Sequence, residues 1–322
     1  MPSLTLFTSI PGSVKRLDRA GRDIGAAYLR RCVASWIEAG HRVVSVNGTD
    51  EATEVAEQYA AVEVRPIERT ALEKTGRPLV YLADLLRECA ASPDVLVGII
   101  NADLYLHAST ALQQQLADAD GTSLLYGQRL DVDDIDEPGG ASPYVSGLDY
   151  FFFAPAMVRE LPDEGFLLGE TWWDFWLPIV LVKRGHRLRP ATTPLVLHLR
   201  HDESSIAHRS STYIEHFQAF ARSLSVRLPL PGTQPWDLQV RPLLAAFLRH
   251  NRGTASPIEQ IYLSQFLSLA LSLYVAQDPA LQASFARGWR GLIEQARDAD
   301  ARQFAAALLD TAMALGMAVG LA

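Results

Sequence analysis

The sequence predicts an α/β chain, with a mostly parallel sheet flanked by helices and an all-α C-terminal region behind it. Three observations carry that expectation. Short β-leaning runs alternate with helical patterns from Leu4 to His201, the order expected of a parallel sheet covered on both faces. Within that half, Val95 to Ile100 is apolar apart from one Gly, too short for a helix and so a strand buried on both faces. After about Glu203 the strand signals stop and only helical periodicity remains.

Leu4 to Ile10 is a β-leaning run closed by Pro11-Gly12. Ile24 to Ala39 repeats its apolar residues at helical spacing, and Gly40 stops it. Arg42 to Val46 is a second strand, Glu51 to Tyr59 a helix and Val62 to Ile67 a third strand. A helix over Leu79 to Ala91, the central strand Asp94 to Ile100 and a helix over Ser109 to Ala119 follow. Ser123 to Leu130 is expected as a strand, and Asp131 to Pro143 as a mobile acidic loop without the Gly and Glu positions of a calcium hand. Gly147 to Phe153 is a strongly apolar strand, Gly169 to Gly185 an aromatic, helical segment, and Leu188 to Leu199 a last strand. Helical patterns then cover Tyr213 to Leu224, Leu238 to His250, Pro257 to Ala276, Ala280 to Ala299 and Arg302 to Leu321, with Leu228 to Gly232 as a hinge. The expected division is 1–202 and 203–322.

Composition bounds the function classes. With 322 residues, 48% hydrophobic and 20% charged, the chain has ample core and no case for disorder. A formal net charge of -8 argues against a nucleic-acid binder. Cys32 and Cys89 lack zinc spacing and are expected as free thiols. The N-terminus has no signal-peptide pattern and no stretch suits a transmembrane span, so the expected compartment is cytoplasmic. Gly-x-Ser-x-Gly, phosphate-loop, His-Glu-x-x-His and Gly-x-Gly-x-x-Gly patterns are absent.

Two constellations carry chemistry. Asn101-Ala102-Asp103 follows the central strand directly, and ligands in open α/β sheets bind beyond such carboxyl ends. Its oxygens suit a hard cation that also holds phosphates, although a plain turn after the strand reads equally from these residue types. Glu170 and Asp174, four residues apart, face one side of a helical turn. Trp172, Trp173 and Trp176 surround them, with ring faces suited to a sugar and bulk that desolvates a carboxylate. The alternative is that the tryptophans are core and Glu170 a helix N-terminal acid. Pro178 implies a late start or a kink in this helix.

The order of Asn101-Ala102-Asp103, Gly147 to Phe153, Gly169-Glu170-Thr171-Trp172-Trp173-Asp174, Lys183 to Arg187 and a last strand ending at His198 resembles a GT-A-type glycosyltransferase of the nucleotide-diphospho-sugar transferase superfamily. The resemblance spans roughly residues 3 to 202 and departs at Asn101, where the family usually has Asp. It implies a GT-A-like mixed sheet, a UDP- or GDP-type sugar donor with Mn²⁺ or Mg²⁺, and hexosyl transfer to a glycan, lipid or protein hydroxyl. Asp103 would be the direct metal ligand, Asn101 would bind the ribose or a metal-bound water, and His198 would close the shell, with His201 as its substitute. Asp174 would be the base of an inverting transfer, with Glu170 next in line, and Asp149, Trp172 and Trp173 would bind the acceptor. Thr8 and Ile10 would line the nucleotide pocket, Asn47 and Asp50 would reach the base or ribose, and Lys74, Arg77 and Arg129 would meet the diphosphate. The C-terminal helices would hold the acceptor, form a homo-oligomer or dock on an assembly. The rivals are a catalytically silent GT-A-like binding or scaffold module, kept open by Asn101, and a nucleotidyltransferase, for which Pro11 to Arg16 is a thin basic loop.

Overall fold

The computed structural model describes residues 4–18, 21–117, 121–144, 147–191, 195–201, 215–216 and 219–220. Its elements in chain order are β1 (Thr5–Thr8), α1 (Gly25–Glu38), β2 (Arg42–Gly48), α2 (Thr49–Gln58), β3 (Glu63–Ile67), α3 (Leu72–Thr75), α4 (Leu82–Ala90) and β4 (Val97–Ile100). They continue with β5 (Tyr105–Leu106), α5 (Ser109–Ala117), β6 (Ser123–Gly127), β7 (Leu130–Val132), β8 (Ser142–Pro143), β9 (Tyr150–Phe153), a 3₁₀ turn (Pro155–Val158), α6 (Trp173–Lys183), β10 (Arg187–Pro190) and β11 (Val196–Leu199).

The main sheet has seven strands in the order β10-β6-β9-β4-β1-β2-β3. All neighbours are parallel except β9, which runs antiparallel to both β4 and β6. The expectation of a mixed, mostly parallel sheet flanked by helices is met. Successive residues point to opposite faces, so Leu6, Val43 and Phe152 pack on one side with Leu29, Val33 and Trp36 of α1. Phe7, Val44 and Phe151 pack on the other with Leu85 and Leu86 of α4 and Trp173 and Trp176 of α6. Gly98 lets β4 sit between its neighbours: a Cβ there would lie 2.7 Å from the Phe152 ring and 2.8 Å from Leu6.

A smaller sheet, β5-β11-β7-β8, lies beyond the carboxyl end of β4. Its existence corrects three expectations. The strand expected over Ser123 to Leu130 breaks into β6 in the main sheet and β7 in the small one. Leu188 to Leu199 likewise divides, with β10 pairing β6 and β11 pairing β5 and β7; Pro190 closes β10, having no N–H to extend the ladder. The acidic stretch after Asp131 is tied down: it opens in β7 and closes in β8, Arg200 Nη1 holds Asp133 at 2.9 Å, and Arg31 Nη1 holds Asp136 at 3.1 Å. The central strand also starts later than expected, at Val97, and Val95 is exposed.

The expected boundary at residue 202, the hinge over Leu228 to Gly232 and nearly all of the expected C-terminal helices lie outside the described residues. No helix among the described residues is long and apolar enough to cross a membrane. Cys32 and Cys89 are buried free thiols.

Candidate active site

Antiparallel β9 decides what meets at the carboxyl end of β4. Ile100 pairs with Tyr150, so the residue entering β9, Asp149, stands beside the residue leaving β4, Asn101. The Asn101 N–H donates to the Asp149 carbonyl at 3.3 Å, and its side-chain amide faces Asp149 Oδ1 at 3.4 Å. In the small sheet, His198 on β11 and Asp131 on β7 are directly paired residues. Parallel pairing puts both side chains on one face, and that face is turned toward Asp103.

His198 is 3% exposed and uses both ring nitrogens. Nδ1 lies 2.8 Å from Asp131 Oδ1, and Nε2 lies 3.1 Å from Asp103 Oδ2. Burial works against charge on this imidazole, but the Asp103 and Asp131 carboxylates outweigh it and raise its pKa above the ordinary 6.5. Burial likewise pushes the Asp103 carboxyl up, and His198, Arg16 and Arg129 more than reverse that, holding it well below the usual carboxylate range.

Asp103, His198 and His201 form a cluster whose possible ligand atoms all lie within 4.8 Å of one another. The donor set fits a first-row divalent transition ion, Mn²⁺ among them, in three respects. One carboxylate with imidazoles suits a first-row divalent metal. Neighbouring ligands at octahedral bond lengths of ~2.1 Å stand about 3 Å apart, close to the 3.1 Å between His198 Nε2 and Asp103 Oδ2. The carboxylate on Nδ1 leaves Nε2 as the ligating nitrogen, the arrangement that fixes metal-bound histidines.

Arg16 completes the cluster from the loop between β1 and α1. Its Nη2 donates to Asp103 Oδ2 at 2.9 Å and lies 3.4 Å from His198 Nε2, while Nη1 donates to the Leu199 carbonyl at 3.1 Å. The guanidinium carbon stands 4.5 Å from the Tyr28 ring centre, within cation–π range. The Tyr28 hydroxyl donates to the Asp103 carbonyl and accepts from the Leu199 N–H, both at 2.8 Å. It therefore ties the two halves of the cluster together through backbone.

Asp174 sits in the first turn of α6, entered through Trp172, which holds a left-handed φ of 77°. That conformation is rare for a bulky residue and locally strained. The Leu148 N–H donates to Asp174 Oδ2 at 2.9 Å, and a Cβ on Gly147 would come within 2.8 Å of the same oxygen. Burial raises the Asp174 pKa from 3.8 to about 7, with the nearby Asp149 charge adding and the Leu148 N–H opposing. Leu148 and Asp149 are consecutive, so the Asp174 contact and the Asn101 contacts fall on adjacent residues of one short stretch of chain.

Asp149 is held by Arg129, whose N–H donates to Oδ2 at 3.1 Å and whose Nη1 donates to Oδ1 at 3.0 Å. Arg129 Nε also donates to Asp131 Oδ1 at 2.9 Å, and its guanidinium lies 3.7 Å above the Tyr144 ring. An unbroken ionic chain thus runs from Arg16 through Asp103, His198, Asp131 and Arg129 to Asp149.

The remaining sequence-selected residues fall elsewhere. Glu170 is buried and paired with Arg77, and Lys74 is paired with Glu215. Trp172 stacks on Phe220 at 5.2 Å and Trp173 packs on Phe151 at 5.4 Å, both deep in the core. Thr8, Ile10 and Asn47 are wholly buried. Asn47 donates to the Ile10 carbonyl at 2.8 Å and accepts from Ser45 Oγ at 2.6 Å, fixing the path after β1. Asp50 is exposed in the first turn of α2. Arg16, Tyr28 and Asp131 were not singled out from the sequence as metal-site residues. Asp131 bore a signal, lying in an acidic stretch next to a strand, whereas the other two had none beyond charge and helical spacing.

No family model and no curated protein matches the sequence. Among solved structures, the chain is similar to S. aureus TarS 1-349 in complex with UDP-GlcNAc, at 14% identity over 97% of this chain and 90% of that one, with a TM-score of 0.48. It is also similar to the mannosyltransferase PcManGT from Pyrobaculum calidifontis in complex with GDP-Man and Mn²⁺, at 15% identity over 97% and 86%, with a TM-score of 0.45. A nucleotidyl transferase from Methanothermobacter thermautotroptrophicus is similar at 18% identity over 70% and 95%, with a TM-score of 0.38. With these TM-scores below 0.5, function rests on the residues themselves.

Proposed function

We propose that the chain is a GT-A-type, metal-dependent glycosyltransferase that moves a hexose from a nucleoside-diphosphate sugar to an acceptor hydroxyl. The observation that carries this reading is the Asp103–His198–His201 cluster at the carboxyl end of β4, backed by Asp131. Asp103, His198 and His201 would hold a divalent ion, which would supply Lewis-acid neutralisation of the charge gathering on a diphosphate leaving group. The chain's own residues do the rest. Asp131 fixes the His198 ring, Arg129 holds Asp131 and Asp149 in register, and Asn101 takes its position from Asp149.

Asp174 is the general base. An alcohol needs its proton removed as the new bond forms, and a base is most effective when its pKa lies near the working pH. Burial sets Asp174 at about 7, whereas an ordinary carboxylate is a much weaker base. A single carboxylate taking the acceptor proton fits inversion at the sugar carbon. Glu170, paired with Arg77, is a structural acid in this reading.

The test is transfer from a panel of nucleotide sugars by the wild type and Asp174→Asn. The variant should bind the sugar donor as the wild type does while turnover falls about 10²- to 10⁴-fold, the usual worth of a general base. Wild-type turnover from Asp174→Asn would remove the base assignment, and a large loss from Glu170→Gln alone would move it to Glu170.

A further inference from the structure

Arg16 stands against the two atoms proposed as adjacent metal ligands. Its Nη2 lies 2.9 Å from Asp103 Oδ2 and 3.4 Å from His198 Nε2, the two atoms whose 3.1 Å spacing suits adjacent metal ligands. An ion bonded to both atoms at ~2.1 Å on the side that Arg16 occupies would meet this nitrogen far inside contact distance. It would also face a fixed positive charge at close range, carried by a side chain that is 5% exposed. The arginine is well seated: Nη1 on the Leu199 carbonyl, the guanidinium over Tyr28, and its own backbone N–H on Asp23 Oδ1 at 3.0 Å.

We propose that Arg16 is the resident counter-cation of the Asp103–His198 edge, that it has to leave for a divalent ion to enter, and that a nucleoside diphosphate draws it off by offering its phosphates to the guanidinium. This rests on the glycosyltransferase reading of the cluster. The chemistry is an exchange of partners. Asp103 passes from guanidinium to metal, and the freed guanidinium, planar and forked, passes to phosphate oxygens, which it matches as well as it matches a carboxylate. The protein alone then holds the ion weakly, and metal and nucleotide enter together.

Isothermal titration with MnCl₂, checked by the electron paramagnetic resonance of free Mn²⁺, tests this without catalysis. Wild type, Arg16→Met and Arg16→Lys are each titrated alone and with UDP or GDP. Arg16→Met keeps an unbranched aliphatic side chain and removes the charge, so it should bind Mn²⁺ alone at least about tenfold more tightly than wild type. Arg16→Lys keeps a charge but loses the fork that spans Leu199 and Asp103, and should bind Mn²⁺ alone a few-fold more tightly. If Arg16→Met fails to give the wild-type circular dichroism spectrum, the lysine variant carries the test. Equal Mn²⁺ affinity in the wild type and the folded variants, with nucleotide-dependent binding retained, would overturn the role of Arg16 and leave the metal site standing. No Mn²⁺ binding by any of the proteins, with or without nucleotide, would overturn the metal site and this inference together.

Discussion

Asp174 can be tested without knowing any substrate. Its carboxyl would ionise at about 7 in the folded chain against 3.8 for the ordinary group, burial being the main cause. A raised carboxyl pKa means that the unfolded chain gives up this proton first. Stability is then full below about pH 3.8 and is lost progressively as pH rises toward 7. Roughly three pKa units at 1.36 kcal/mol each give a loss on the order of 4 kcal/mol by pH 8. Asp174→Asn removes the titration and keeps an oxygen for the Leu148 N–H, so it should escape that loss. Urea unfolding of both proteins from pH 4 to pH 8 isolates the effect, because every other titrating group cancels in the difference. The stability difference should move in favour of Asp174→Asn by ~3–4 kcal/mol across this range. A difference that stays flat with pH would refute the perturbed carboxyl and with it the argument for Asp174 as base. In turnover the same group should make the rate climb through pH 7, by about tenfold from pH 6 to pH 8, with a plateau above.

Other perturbations separate the parts of the site. Asp103→Ala should abolish Mn²⁺-dependent binding of the nucleotide; unchanged manganese-dependent turnover would sink the metal assignment. Arg129→Met leaves the buried Asp149 carboxylate and the half-buried Asp131 carboxylate without their shared cation, and urea unfolding should show a loss of about 3–5 kcal/mol. Gly147→Ala presses a methyl group toward Asp174 Oδ2, so turnover should fall with little change in melting temperature; equal losses in both would make the glycine merely structural.

The parts of the fold legible in the sequence were those set by local pattern. Val97 to Ile100 is buried throughout, and α1 and β2 fall within two residues of the apolar periodicity that predicted them. The small sheet was not legible, because β5, β7, β8 and β11 are two to four residues long and pair across wide sequence gaps. Periodicity has no purchase on runs that short. The site divides in the same way. Asp103 and Asp174 were marked by what precedes or surrounds them in the chain. Asp131 and Arg16 reach the cluster through a strand register and a loop path, which only the folded chain specifies. The aromatic run shows the converse error of scale: three tryptophans beside two acids read as a sugar platform, yet Trp172, Trp173 and Trp176 are all nearly inaccessible.

In the proposed function, the Asp103 cluster binds a metal together with a nucleoside diphosphate. The most direct test is a thermal-shift series on the wild type and Asp103→Ala, using UDP, GDP, CDP and dTDP and their sugars, each with Mn²⁺ and with EDTA. A ligand bound only by the folded state raises the melting temperature by mass action. The expected result is stabilisation of the wild type by one nucleotide with Mn²⁺, absent with EDTA and absent in Asp103→Ala. No shift with any nucleotide, or a shift that survives both EDTA and the substitution, would contradict it.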